Sequence, residues 1–112
     1  KIIINSFILF CFVLLWQFVI KIFHYNGITC PPQSYDQWFQ FIQNFAGHMV
    51  DRHGIDEVSQ WYFEVWNEPN CGFWDGSQQD YFTLYNYTAN AIKSVSSLLR
   101  VGGPSTCQAG TC

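Results

Sequence analysis

Two hydrophobic rhythms run along this chain. In residues 61–66 every position except Glu64 is bulky and apolar or aromatic, which reads as a β-strand buried on both faces. The run stops at Asn67-Glu68-Pro69, where proline can no longer serve a central ladder. Helical spacing flanks it on both sides. Trp38, Phe41, Ile42, Phe45, Met49 and Val50 share one face of a helix that starts at a capping box, Ser34-Tyr35-Asp36-Gln37, and ends near His53 with Gly54 as its left-handed cap. Tyr81, Leu84, Tyr85, Thr88, Ala91, Ile92 and Val95 define a second helix, from Ser77-Gln78-Gln79-Asp80 to about Leu98. Residues 99–103 then make the next strand, closed by Pro104. Strand, loop, helix and strand in this order predict a right-handed parallel βαβ unit. Glu68 therefore lies where a parallel strand ends, on the floor of a cleft, a place suited to chemistry rather than packing.

The flanks follow neither rhythm. Residues 2–20 are apolar except for Asn5, Ser6 and Gln17, with Lys1 and Lys21 at the edges. As a helix the run is long enough to cross a hydrocarbon core of about 30 Å, and lysines at both ends leave its orientation undecided. Three readings of residues 1–21 stay open: a membrane anchor or uncleaved signal, foreign sequence from a faulty gene model, or a strand in disguise. The first implies membrane contact through residues 2–20 and a secreted or membrane-associated protein. Residues 23–32, with His24-Tyr25-Asn26-Gly27 and Cys30-Pro31-Pro32, carry turn signals and form a loop. His24 is a candidate to line a cleft there, or a structural loop residue.

Phe63-Glu64-Val65-Trp66-Asn67-Glu68-Pro69-Asn70, then Gly72-Phe73-Trp74, and later Leu99-Arg100-Val101-Gly102-Gly103-Pro104, together resemble the fourth strand, its loop and the fifth strand of glycoside hydrolase family 39. That family holds β-xylosidases and α-L-iduronidases. The resemblance covers residues 23–106 and implies an α/β fold, a fragment of a (β/α)8 TIM barrel around strands 4 and 5 with flanking helices, occupying residues 22–112 behind the apolar segment. It implies that Glu68 is the general acid/base of a retaining mechanism and that Asn67 binds the sugar hydroxyl at carbon 2. Trp66, Phe73 and Trp74 become wall or stacking residues. Cys71 departs from the pattern, standing where a leucine-like residue is usual, and the loop to Phe73-Trp74 is about one residue shorter.

Length and composition limit what such a segment does. A complete barrel of this type needs about 250 residues, whereas this chain has 112 and begins with Lys1, so it is expected to be one sector of a longer enzyme. Net charge is −3, only 12% of residues are charged and no basic run occurs, so nothing invites a nucleic-acid reading. Aromatic residues make up 20%; they suit sugar recognition as well as core packing.

Glycoside cleavage needs two carboxyl groups flanking the scissile bond. Glu64 does not partner Glu68: four strand residues separate their backbones by roughly 13 Å, against about 5 to 5.5 Å in retaining pairs and at most about 9.5 Å in inverting ones. It is expected in a polar layer inside the barrel, in need of a partner. Asp75 lies in a loop and Asp80 in a helix cap. By the resemblance, the nucleophile is a glutamate at the end of the seventh strand, so none is expected within this chain, and the isolated segment is expected to be inactive. His48 and His53, five apart, read as solvated, as do Asp56 and Glu57. No metal or organic cofactor is implied. The expected partner is a carbohydrate substrate; a membrane-tethered carbohydrate-binding remnant is the alternative. Five cysteines form no metal-ligand pattern; in an extracellular chain Cys107 with Cys112, or Cys30 with Cys71, are the expected pairs. Asn86-Tyr87-Thr88 is a glycosylation sequon within a predicted helix.

Overall fold

The computed structural model describes residues 30–107. The readings of the apolar segment and of His24 lie outside the described residues. In order come α1 (Tyr35–His53), α2 (Ile55–Val58), β1 (Tyr62–Glu64), α3 (Gln78–Val95) and β2 (Arg100–Gly102). Among the described residues no helix is long and apolar enough to cross a membrane.

The two strands pair in parallel, with Tyr62 opposite Arg100, Phe63 opposite Val101 and Glu64 opposite Gly102. Each is only three residues long, so packing against the helices has to hold the pair. Phe63 and Val65 are 5% and 3% exposed, while Tyr62 is 65% exposed. Of the two faces expected to be buried, the described residues cover the one that carries Phe63 and Val65. Both long helices pack on the Phe63–Val65 side, while Tyr62 on the other side is exposed and Glu64 partly buried. On that side Arg100 lies 5.2 Å from the Tyr62 ring centre and donates from Nη1 to its hydroxyl at 2.9 Å.

Both long helices follow from their sequence. α1 ends at Gly54, whose φ of 82° is readily adopted only by a residue without Cβ, and whose N–H bonds the Val50 carbonyl. At its start Ser34 Oγ accepts from the Gln37 N–H. The reciprocal capping box forms instead at α3, where Ser77 and Asp80 each accept from the other's backbone. α3 stops at Val95, three residues before the expected end. Ser96 turns to extended backbone, and Lys93 Nζ donates to the carbonyls of Ser97 and Leu99, drawing the chain toward β2.

Between helices and sheet lie two apolar clusters. Ala46, Val58, Trp61, Phe63, Ile92 and Leu99 form one; Val65, Trp74, Tyr81 and Leu84 form the other. Val101 touches both. Polar ties cross the helix pair: Trp38 Nε1 donates to Thr88 Oγ1 at 2.8 Å, and the Thr88 hydroxyl donates to the Leu84 carbonyl. Residues 55–58 form a helical turn rather than a plain connection. Its Glu57, expected to be merely solvated, accepts from Trp61 Nε1 at 3.1 Å and so pins the entry to β1.

Candidate active site

At the end of β1 the ladder loosens and the backbone changes hand. Val65 N–H still reaches the Gly102 carbonyl at 3.2 Å. Beyond it only Asn67 and Ser105 form an isolated parallel bridge, through a 2.9 Å bond from the Glu68 N–H to the Ser105 carbonyl. Between these contacts Trp66 has φ 70° and Glu68 has φ 44°, left-handed values that cost a side-chain-bearing residue roughly 1–3 kcal/mol each. Such a cost persists only where the surroundings over-determine the turn.

The surroundings here are specific. The Val65 carbonyl accepts from the buried Tyr81 hydroxyl at 2.9 Å, which anchors the last regular residue to α3. Gly103 lies beside the Val65 carbonyl and the Tyr81 hydroxyl, at a φ of 118° that side-chain-bearing residues rarely adopt. Trp66 Nε1 donates to the Phe73 carbonyl at 2.7 Å, and its ring meets Trp74 edge-on at 5.4 Å. Trp74 in turn donates to the Ser77 carbonyl and packs on Tyr81. A chain of aromatic contacts thus links the turn to the start of α3. Burial pushes the Tyr81 hydroxyl up to about 12, with smaller contributions from Tyr85 and the Glu64 carboxylate, so it is a neutral donor under ordinary conditions.

Asn67 and Glu68 come together at this strand end, both partly exposed, with Trp66 beside them. Phe73 is exposed on the following loop. Trp74, expected as a wall or stacking residue, is 9% exposed and belongs to the core beneath Trp66; its ring is spent on Trp66 and Tyr81. The other acids are elsewhere. Asp80 bonds the Ser77 hydroxyl and backbone, and those bonds hold its carboxyl below the usual range. Asp75 is exposed in the loop. Glu64 Oε1 is buried with no hydrogen-bond partner among the described residues. His48 and His53 lie exposed on α1, and among the described residues no group of His, Cys, Asp and Glu is arranged to hold a metal.

Three contributors escaped the sequence reading. Ser105 holds the Glu68 amide through its backbone, so its side chain carries no signal. Tyr81 read as one more apolar position of a helix, and its hydroxyl task depends on where Val65 ends. The disulfide joins Cys71 to Cys107, with Cα atoms 6.2 Å apart, which corrects both expected pairings; Cys30 is free.

The comparisons with known proteins bear on the same residues. The profile described as Glycosyl hydrolases family 39 matches residues 17–110, further at both ends than residues 23–106. The chain is 54% identical over 87 residues to a beta-xylosidase of Caldicellulosiruptor saccharolyticus, covering 76% of this chain and 18% of the relative. It is 48% identical over 88 residues to a beta-xylosidase of Geobacillus stearothermophilus, with 77% and 18% covered. Identity to the human alpha-L-iduronidase is 31% over 84 residues, covering 72% of this chain and 13% of that one. Among solved structures, a monomeric beta-xylosidase from Caulobacter crescentus superposes with a TM-score of 0.67 at 49% identity, covering 71% of this chain and 16% of that one. The chain therefore spans about a fifth or less of the length of these relatives.

Proposed function

This chain belongs to family 39 of the glycosyl hydrolases, and we propose that it is the sector of a β-xylosidase barrel that supplies the general acid/base, Glu68. The reaction is retaining hydrolysis of a terminal glycoside. The observation that carries the proposal is the left-handed turn at Trp66–Glu68, tied to Ser105 and backed by Tyr81. It sets a carboxylate at the end of a parallel strand, where α/β barrels gather their chemistry. Asn67, next along, hydrogen-bonds the sugar hydroxyl at carbon 2, an interaction that strengthens toward the transition state. Trp66 and Phe73 form the wall of the sugar site, and Trp74 supports Trp66 from below.

Mechanistically, Glu68 protonates the leaving oxygen as the anomeric centre gains positive charge. It then takes a proton from the water that releases the sugar. The second carboxylate comes from outside these residues. Of the eight acids in the chain, Glu64 is on the strand, Asp80 is committed to its cap, Asp36, Asp51, Asp56 and Glu57 lie on α1 and α2, and Asp75 is in an exposed loop. Substrate choice follows the closer relatives: identities of 54% and 48% to the xylosidases against 31% to the iduronidase favour a β-xyloside. The binding-remnant alternative draws on residues 2–20, which lie outside the described residues.

The test replaces the matching 88 residues of the Geobacillus stearothermophilus enzyme with this segment. The hybrid should hydrolyse an aryl β-xyloside with the β-anomer as first product by proton NMR, and leave an aryl iduronide untouched. A folded hybrid that cleaves neither, or that releases the α-anomer first, defeats the reading.

A further inference from the structure

We propose that the Cys71–Cys107 disulfide is a redox-sensitive positioning device that holds the Asn67–Glu68 turn in its working shape. The inference takes from the reading above only that this turn is the site.

The geometry places the bond one step beyond the last regular pairing. β1 and β2 end at Glu64 and Gly102, and past them the two segments separate into loops. Three contacts then bridge or brace the separation: the Glu68 N–H to the Ser105 carbonyl at 2.9 Å, the Cys71 N–H to the Glu68 carbonyl at 3.0 Å, and the Cys107 N–H to Asn70 Oδ1 at 3.2 Å. The disulfide joins the far ends of the same two segments, across 36 residues of sequence, at a Cα separation within the range such bonds span. Glu68 is thus clamped from both sides, by Ser105 before it and by Cys71 after it, while its backbone stays left-handed. Trp66 keeps its indole bond to the Phe73 carbonyl and its contact with Trp74, but without the covalent tie only two loop hydrogen bonds and one bridge hold the backbone of Glu68 and the residues after it. Cys71 is exposed, which leaves the bond open to exchange.

Reduction by a dithiol breaks the Sγ–Sγ bond. Two electrons and two protons pass to the sulfurs, giving the Cys71 and Cys107 thiols, and the dithiol becomes its own disulfide. The device is closed under oxidising conditions and loosened under reducing ones.

The experiment compares the full 112-residue chain oxidised, reduced with dithiothreitol, and as the Cys71→Ser/Cys107→Ser double variant. A non-reducing peptide map should recover a Cys71–Cys107 crosslink. Hydrogen exchange at the amides of Glu68, Cys71 and Cys107 should accelerate about tenfold on reduction, with α1 and α3 amides unchanged. The near-ultraviolet circular dichroism of the Trp66–Trp74 pair should weaken in step, an assignment checked with Trp66→Phe. The double variant should match the reduced form and ignore dithiothreitol. A crosslink from Cys71 to Cys30 or none at all, unchanged exchange at Glu68, or equal loss of protection in α3 each overturns the proposal. None of these readouts involves hydrolysis, so the device fails or stands apart from the enzymatic reading.

Discussion

Two tryptophans five residues apart mark the two ends of the central strand, and they sit in opposite kinds of structure. Trp61, 7% exposed, lies in the apolar cluster with Phe63 and Leu99, and its indole nitrogen is satisfied by the Glu57 carboxylate one helical turn back. Extended residues follow it and pair in regular register with β2. Trp66, only partly buried, has left-handed backbone and reaches forward to the Phe73 carbonyl. Regular pairing has stopped by then, and what remains is one bridge, one disulfide and a set of side-chain props. The first end is held by burial, which is non-directional and tolerant of detail, with the Glu57 bond to Trp61 added to it. The second is held by directed bonds, and it carries the polar residues. A strand end that departs from ladder geometry can aim Asn67 and Glu68 away from the sheet; a regular one would return alternate side chains to the helices.

Substitutions that act on one end and spare the other sharpen this contrast. A large effect on activity is expected from Asn67→Ala in the hybrid xylosidase: loss of the proposed bond to the carbon-2 hydroxyl raises the barrier by about 2–3 kcal/mol, roughly a hundredfold in kcat. Its urea midpoint should stay within experimental error of the parent, and a matching loss of stability would break the contrast. At the other end, Leu99→Ala empties a fully buried site beside Trp61 and should cost about 2–5 kcal/mol in denaturant unfolding. Circular dichroism of the Trp66–Trp74 pair should survive it below the transition.

Tyr81→Phe tests the join between the two ends. Removing the hydroxyl leaves the Val65 carbonyl unsatisfied, for about 1–3 kcal/mol. A pH signature goes with it. The folded value near 12 stands above the unfolded value of about 10, so the native state keeps its proton longer. This contribution is complete below pH of about 10 and is lost as pH rises toward 12; Tyr81→Phe should flatten that part of a stability–pH curve. The smallest effect belongs to Asp80→Asn at the α3 cap. The Asp80 carboxyl is held low by Ser77, so its contribution is present above the unfolded carboxylate value and disappears as pH falls through the folded one. The variant should lose that acid-side slope and leave hydrolysis unchanged.

The sequence disclosed the burial-driven parts most readily, for a physical reason. Helical spacing of apolar residues predicted α1 and α3, and Gly54 ended α1 where a positive φ was needed. The parallel pairing followed from element order. Trp74 shows the limit: an aromatic residue in a loop after a strand end is equally suited to stacking on sugar and to closing a core, and only the position of Tyr81 decides it. Cysteine pairing is likewise set by which loops meet in space. Cys71 and Cys107 meet because the loops that follow the paired strands β1 and β2 converge, and the spacing of the cysteines along the chain does not encode how those loops run. Glu64 was expected to need a partner in a polar layer, and its buried Oε1 has none among the described residues.

The central claim is that the strand-end turn presents Glu68 as the proton donor to a departing sugar oxygen. Leaving-group dependence in the hybrid enzyme tests it most directly, with Glu68→Ala measured on a phenyl and on a dinitrophenyl β-xyloside. General acid catalysis is worth about 10²- to 10⁴-fold, and only the phenyl substrate needs it for bond cleavage. The account predicts that kcat/KM falls by that much for the phenyl xyloside and by far less for the dinitrophenyl one. Equal losses on both substrates, or no loss on either, would contradict it.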